Sequence, residues 1–252
     1  MNILAIDTST KKASVGLKIN DFVTYKNIDN EITHSEKLLP LVDDTLNENN
    51  LKIKDIDYLA CSIGPGSFTG IRIGIATVKA FAKVLNIPVF SASSLDILAY
   101  TNIDTSSDYI ISVMDAKNSR IYYSIYKIEK DKYDKETIPV LNKIFDYSND
   151  IIDVAIDNIL KALSKENNSQ ELSLTIIGDC ANNYKDLFVT SFKNNFNTIN
   201  INNSDLSCKP LIQMVENYTK LGINTQFEKD YLTLDAIYVR PSQAERAKNN
   251  EL

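Results

Sequence analysis

Apolar residues fall along this chain in two modes: short unbroken runs closed by polar turns, and longer stretches recurring every three or four residues. The first run, Asn2 to Ile6, has the character of a buried strand and closes on Asp7-Thr8-Ser9-Thr10. Ala13 to Ile19 and Phe22 to Lys26 follow, divided by the turn pair Asn20-Asp21, so three antiparallel strands are expected. Leu38, Leu41, Val42, Thr45 and Leu46 then recur at helical spacing behind Thr33-His34-Ser35-Glu36, whose spacing is that of a capping box. A start near Ser35 would bring Pro40 close to the first turn, where its missing N–H costs least. The helix should end in Asn47-Glu48-Asn49-Asn50, and Leu51 to Asp57 leads to a strand from Tyr58 to Ile63.

Next comes Gly64-Pro65-Gly66-Ser67-Phe68-Thr69-Gly70-Ile71-Arg72-Ile73-Gly74. The whole chain has 7 glycines, and four of them lie here. The pattern predicts a helix from Phe68 to Leu85, capped by Ser67 or Thr69 and stopped by Asn86-Ile87-Pro88. Strand, glycine turn and helix can aim backbone N–H groups at an anion. The same layout can let another element approach the helix closely. Ile71, Ile75, Val78, Ala82 and Leu85 form one apolar stripe, while Ile73, Ala76, Ala80, Phe81 and Val84 cover other directions. That is more apolar surface than one buried face needs. Gly70 and Gly74, four residues apart, leave a bare strip for a partner helix. The plain alternative is burial within the helix's own lobe.

Val89-Phe90 begins a short strand, Ser93-Ser94-Leu95-Asp96 opens a helix toward Tyr100, and the polar stretch Asn102 to Asp108 is the best candidate boundary. The pattern then restarts. Ile110 to Ala116 echoes Ile3 to Thr8, with Asp115 in the place of Asp7, and Ile121 to Ile128 is again a second strand. Leu174 to Cys180 echoes Leu59 to Gly66; Asp7 to Gly64 spans 57 residues, and Asp115 to Gly178 spans 63. A duplicated α/β lobe is the expected architecture. Between and after these lie predicted helices at Ile151–Leu163, Tyr184–Phe196 and Pro210–Leu221, an exposed loop at Lys165–Gln170, and an asparagine-rich loop behind Phe196. The division expected is residues 1–104, 105–225 and a tail, 226–252, packing back on the lobes, with Glu245–Leu252 frayed.

Composition narrows the classes. Hydrophobic residues make up 44% and charged residues 24%, as in a soluble protein with a sizeable core. The net charge of −6 argues against nucleic-acid or anionic-membrane binding by the whole surface, though not against a local basic patch. No run approaches a membrane span of ~20 residues. The start, Met1 to Asp7, lacks a basic flank and is expected to be a mature first strand rather than a signal peptide. Cys61, Cys180 and Cys208 show neither metal nor disulfide spacing, which suits a reducing cytosol.

His34 is the only histidine, so HExxH, a paired-histidine metal site and a Cys-His zinc site are excluded, and with them a metalloprotease. Nothing near a serine resembles a nucleophile elbow. Asp7, Thr8 and Ser9 could hold hydrated Mg²⁺ and phosphate oxygens, with Gly64, Gly66 and Ser67 cradling the anion. Against this, no lysine follows Gly70 as a P-loop requires, and no second carboxylate stands nearby to finish the site. Cys61 and Cys180 read as small buried hydrophobes.

Ile3 to Thr10, His34 to Pro40 and Gly64 to Gly74, with Ser93-Ser94-Leu95, Met114-Asp115-Ala116 and Tyr238-Val239-Arg240 in the same order, resemble the TsaB (YeaZ) family. The likeness is dense over residues 1 to about 100 and sparse but collinear to about 241. Lys117 departs from it, since the family often has arginine there. The resemblance implies two RNase-H-like lobes of the actin/Hsp70/sugar-kinase type, mixed sheets flanked by helices. It implies a cytoplasmic, catalytically silent paralogue of TsaD, serving threonylcarbamoyladenosine formation in tRNAs that read codons beginning with A. TsaD-like relatives hold a metal through histidines on the first helix, and here His34 stands alone. The expected partner is a TsaD-like transferase, with a TsaE-like ATPase in the assembly, self-association through the same helices, tRNA met only through the complex, and no membrane. The expected interface is Leu38, Leu39, Leu41, Val42, Gly70, Ile71, Gly74, Ile75 and Val78. This chain would need no cofactor or metal of its own, ATP and Mg²⁺ belonging with the complex. The competing expectation is a stand-alone nucleotide-binding ATPase or small-molecule kinase of the same fold, built on Asp7 and the Gly64–Gly70 turn.

Overall fold

Two sheets repeat one strand order. The computed structural model describes residues 1–28, 34–103, 106–129, 138–166, 172–223, 227–228 and 231–241. Its elements begin with β1 (Asn2–Asp7), β2 (Ala13–Ile19), β3 (Phe22–Ile28), α1 (His34–Asn47), β4 (Tyr58–Ser62), α2 (Phe68–Leu85), β5 (Val89–Ala92) and α3 (Ser94–Tyr100). After the restart come β6 (Tyr109–Asp115), β7 (Arg120–Glu129), β8 (Val140–Ile151), α4 (Ile152–Glu166), β9 (Ser173–Gly178), α5 (Lys185–Phe192) and β10 (Thr198–Asn203). Last are α6 (Cys208–Lys220) and the short β11 (Phe227–Glu228).

The first sheet runs β11-β5-β4-β1-β2-β3 and the second β10-β9-β6-β7-β8. In each, an antiparallel meander of three strands is extended by two strands parallel to its first. This is the RNase-H-like arrangement, made twice, and the duplicated α/β fold expected from the repeat is present. The chain divides into one unit of residues Met1–Ile97 with Leu206–Leu252, and a second of Leu98–Asp205.

In the first unit, β1, β2 and β4 send Leu4, Ile6, Val15, Leu17, Leu59 and Cys61 to one face of the sheet, where Leu38, Val42 and Leu46 of α1 and Ile71, Val78 and Ala82 of α2 cover them. Side chains alternate between faces along a strand, so Gly16 looks to the opposite face. There α6 packs so closely that a Cβ on Gly16 would come 2.6 Å from Cys208 Cβ. Residues 206–225 were expected in the second lobe; α6 instead contacts β1, β2 and β4. The second unit is built around Tyr109, Ile111, Val113, Ile121, Tyr123 and Ile125, covered by α4 and by Phe188 and Phe192 of α5.

Local chemistry explains most boundaries. Asn20 takes φ 51 in the β2–β3 turn, a conformation asparagine tolerates. Ser67 caps α2 by accepting from Gly70 N–H, and Asn86 ends it in the left-handed region while donating to the Ala82 carbonyl. Helix α1 begins at His34, so Pro40 falls beyond the first turn. Pro40 and Glu36, whose carbonyl loses its donor, are both exposed, and water can serve that carbonyl. The asparagine-rich stretch expected as a loop is the parallel edge strand β10, paired along its length with β9. The edge strands β8 and β11 were not anticipated. Thr33 of the expected capping box, Asp104 and Thr105 of the expected boundary, residues 167–170 of the expected loop and the end from 242 lie outside the described residues. Among the described residues no helix is long and apolar enough to cross a membrane.

Candidate functional site

The glycine turn closes on the end of β1. Asp7 and Ser9 are buried, and the Asp7 carboxylate accepts from Ser9 N–H at 2.9 Å and Ser9 Oγ at 2.6 Å, which fixes the turn out of the strand. The Ser9 carbonyl then accepts from Ser67 N–H at 2.7 Å. It lies so near Gly66 that a Cβ there would be 2.0 Å from it. Gly64, at φ 95, holds a conformation that suits glycine; its carbonyl accepts from Ser94 N–H at 2.8 Å, and Ile63 O accepts from Ile237 N–H at 2.8 Å. The turn is therefore tied on three sides. The predicted residues Asp7, Thr8, Ser9, Gly64, Gly66 and Ser67 do come together. At Ser67 a backbone carbonyl, not open space, faces the N–H that would help cradle a phosphate.

The second unit repeats the contact. A Cβ on Gly178 would meet the Val113 carbonyl at 1.6 Å. Asp179 accepts from Asp115 N–H at 2.9 Å. Burial raises the Asp179 carboxyl above the ordinary range; the Asp115 N–H works against that, and the Asp115 charge adds to it. Asp115 in turn accepts from Lys117 N–H at 2.8 Å and pairs with the Lys117 ammonium. Both strand-end aspartates thus organise turns.

Burial also pushes the Cys61 and Cys208 thiols far up, with the Asp7 charge adding. They stay protonated and unreactive, as small core side chains do. Among the described residues no group of three or more His, Cys, Asp or Glu side chains is placed to hold a metal ion.

The helices expected to meet a partner are arranged otherwise than their sequence suggested. Gly70 and Gly74 do not face outward. Cβ atoms on them would lie 2.0 Å from the Thr8 carbonyl and 2.4 Å from Thr8 Oγ1, and Thr8 Oγ1 donates to the Gly70 carbonyl at 2.6 Å. The bare strip is filled by the protein's own β1 end. Leu38, Val42, Ile71, Ile75 and Val78 are core residues as well. Leu41 is half-buried, and of the expected interface Leu39 alone is exposed, at 51%. The outward side of α2 is instead Thr69, Ala76, Ala80 and Val84, bordered by half-buried Ile73 and Thr77. Exposed Arg72 and Lys83 stand on the same side toward its two ends, and Val84 is 81% exposed. Its residues were visible in the sequence as the second apolar direction of the helix.

The segment 231–241 runs beside α2 as a strap. Leu234 is buried in the first unit's core, and the Leu232 carbonyl accepts from Lys79 Nζ at 3.4 Å. Tyr238 packs on Phe68, ring centroids 4.8 Å apart. No spacing in the sequence pairs Tyr238 with a helix 166 residues away; the order of the motif was its one signal.

The family model for TsaD, tRNA N6-adenosine threonylcarbamoyltransferase, matches residues 29–230. The tRNA threonylcarbamoyladenosine biosynthesis protein TsaB of Haemophilus influenzae is 32% identical over 135 residues, covering 53% of this chain and 57% of that protein. TsaB of Bacillus subtilis is 34% identical over 133 residues, covering 50% and 56%. The chain thus spans just over half the length of the curated relatives it matches. The solved structure of YeaZ from Pseudomonas aeruginosa superposes with a TM-score of 0.67 over 94% of this chain and 100% of that one, at 20% identity, a likeness of fold.

Proposed function

Because the chain belongs to the family of TsaD, the tRNA N6-adenosine threonylcarbamoyltransferase, and within it to the TsaB (YeaZ) group, we propose that it is a non-catalytic subunit of a threonylcarbamoyladenosine-forming complex. Its role would be to bind and activate a TsaD-like transferase acting on tRNAs that read codons beginning with A. The observation that carries this reading is the outward side of α2. Between exposed Arg72 and Lys83, the small exposed side chains of Ala76 and Ala80, with Val84 beside them, let another helix come near.

The filled glycine turn supports catalytic silence. A carbonyl oxygen over Gly66 and Ser67 repels an anion where a phosphate would need donors. Asp7 is engaged by Ser9 in the same turn. A TsaE-like ATPase and self-association through α1 and α2 belong to the same proposal.

The test is co-purification with the TsaD-like protein of the same source, then reconstitution of the tRNA modification with and without this chain. Association and a rate that depends on this chain are expected. Full modification by the other components without it would end the proposal.

A further inference from the structure

We propose that Arg72 is the charged anchor of the docking surface on α2, and that it takes a carboxylate from a helix of the TsaD-like subunit. This rests on the partner reading above and names the chemistry of the contact. Arg72 is exposed, and its Nε donates to Tyr238 Oη at 2.8 Å. Its guanidinium carbon lies 3.9 Å from the Phe68 ring centroid and 5.7 Å from that of Tyr238. Among the described residues its side chain meets these two rings and that hydroxyl, and no carboxylate. Lys26, Lys117 and Lys143 each pair with an acid of the chain. Arg72 is held in place by neutral groups instead.

A guanidinium has five N–H donors in a fixed plane. Tyr238 takes the Nε donor and the two rings orient the plane, so much of the freedom of a long side chain is lost before a partner arrives. The two terminal amino groups remain, and end-on they match both oxygens of a carboxylate. Tyr238 acts here through Arg72 and is a positioning residue.

Arg72, Ala76, Ala80 and Val84 follow one another at four-residue intervals, so Arg72 heads the row along which a second helix would lie. Charge selects the occupant. Helix α2 carries Arg72, Lys79 and Lys83 and no acidic residue. Helix α1, which touches α2, exposes Glu36, Asp43 and Asp44 against Lys37. A uniformly anionic ligand such as a nucleic acid would gain at α2 and be repelled at α1. A protein helix can turn an acid toward Arg72 and other side chains toward α1. An arginine set among aromatic rings beside small apolar side chains is also the composition of a protein-interface anchor.

The test is calorimetric titration of the full chain with the purified TsaD-like subunit of the same source. Arg72→Ala should weaken binding about thirtyfold, as loss of an interface anchor does. Arg72→Lys should weaken it about tenfold, because an ammonium keeps the charge but not the fork. Tyr238→Phe keeps the ring but frees the guanidinium plane, and should cost about threefold. Arg72→Glu should abolish binding, and reversal of one acidic side chain of the TsaD-like subunit to arginine should restore it. A merely structural Arg72 would not permit that rescue. Thermal unfolding of each variant should match the parent. Unchanged affinity in Arg72→Ala, full affinity in Arg72→Lys, or no rescue at any surface Asp or Glu of the subunit would each overturn the anchor and leave the proposed function standing. A parent chain that binds no TsaD-like subunit would instead end the proposed function, and the anchor with it.

Discussion

The Cβ that Gly74 lacks would lie 2.4 Å from the Oγ1 of Thr8. One turn earlier, at Gly70, it would lie 2.0 Å from the Thr8 backbone carbonyl. Helix α2 therefore rests directly on the end of β1, and both glycines are needed for that approach. Gly70→Ala gains about 1 kcal/mol of helix propensity but must displace a backbone atom, an overpacking cost of about 1–3 kcal/mol or more. A net loss of about 2 kcal/mol is expected in urea unfolding. Gly74→Ala should cost less, because Thr8 Oγ1 can rotate away at the expense of its hydrogen bond to Gly70 O. Equal stability of both variants and the parent would contradict the packing.

Docking and folding should separate on the two sides of α2. Ala80→Arg and Val84→Asp change exposed positions, where substitutions usually cost within about 0.5 kcal/mol of stability. Each should nonetheless weaken binding to the TsaD-like subunit about a hundredfold by burying a charge in an apolar contact. Gly74→Arg, on the inner side, should unfold the first unit instead. Size-exclusion chromatography with circular dichroism distinguishes these outcomes. Unimpaired binding by both outer variants would remove α2 from the interface.

What the sequence conveyed was local, and what it hid was tertiary. Strand runs, the Asn20-Asp21 turn, the Ser67 cap and the Asn86 stop are short-range chemistry, and each stands where expected. The side of α2 that faces the core was misjudged because a glycine strip looks alike whether β1 or a partner fills it. Gly16, in the middle of β2, was the one sign that an element comes very close there, and α6 is that element. Strand β10 had its signal too, since Ile199 and Ile201 alternate with asparagines, but asparagine content outweighed the period of two. The Phe68–Arg72–Tyr238 contact joins distant segments, and no spacing rule reaches that far.

Asp179 gives the second unit a pH dependence of definite sign. Burial raises its folded carboxyl above the unfolded value near ~3.9, so the folded state holds the proton more tightly. Its contribution to stability is most favourable below the unfolded value and is lost as pH rises through the folded one. Asp179→Asn still accepts from Asp115 N–H and removes the buried charge beside Asp115 and Asp205. The variant should unfold at higher urea than the parent at pH 7, and the gap should close toward pH ~4. A gap that is constant or grows on acidification would show that charge is not its cause.

Nucleotide binding is the property on which the competing stand-alone ATPase or kinase must depend. Its anion would have to enter where the Ser9 carbonyl already accepts from Ser67 N–H and lies close against Gly66. A phosphate there would replace an intramolecular hydrogen bond and bring two negative oxygens together, and Ile71-Arg72 follows Gly70 where a P-loop has its lysine. Calorimetry of the isolated chain with Mg-ATP should therefore give no binding tighter than about 1 mM, equivalent to about −4 kcal/mol. Asp7→Ala should change folding stability, through the loss of the Ser9 contacts, and not any nucleotide signal. A saturable heat that disappears in Asp7→Ala, with the fold retained, would reinstate the ATPase and remove the filled turn as a support for catalytic silence.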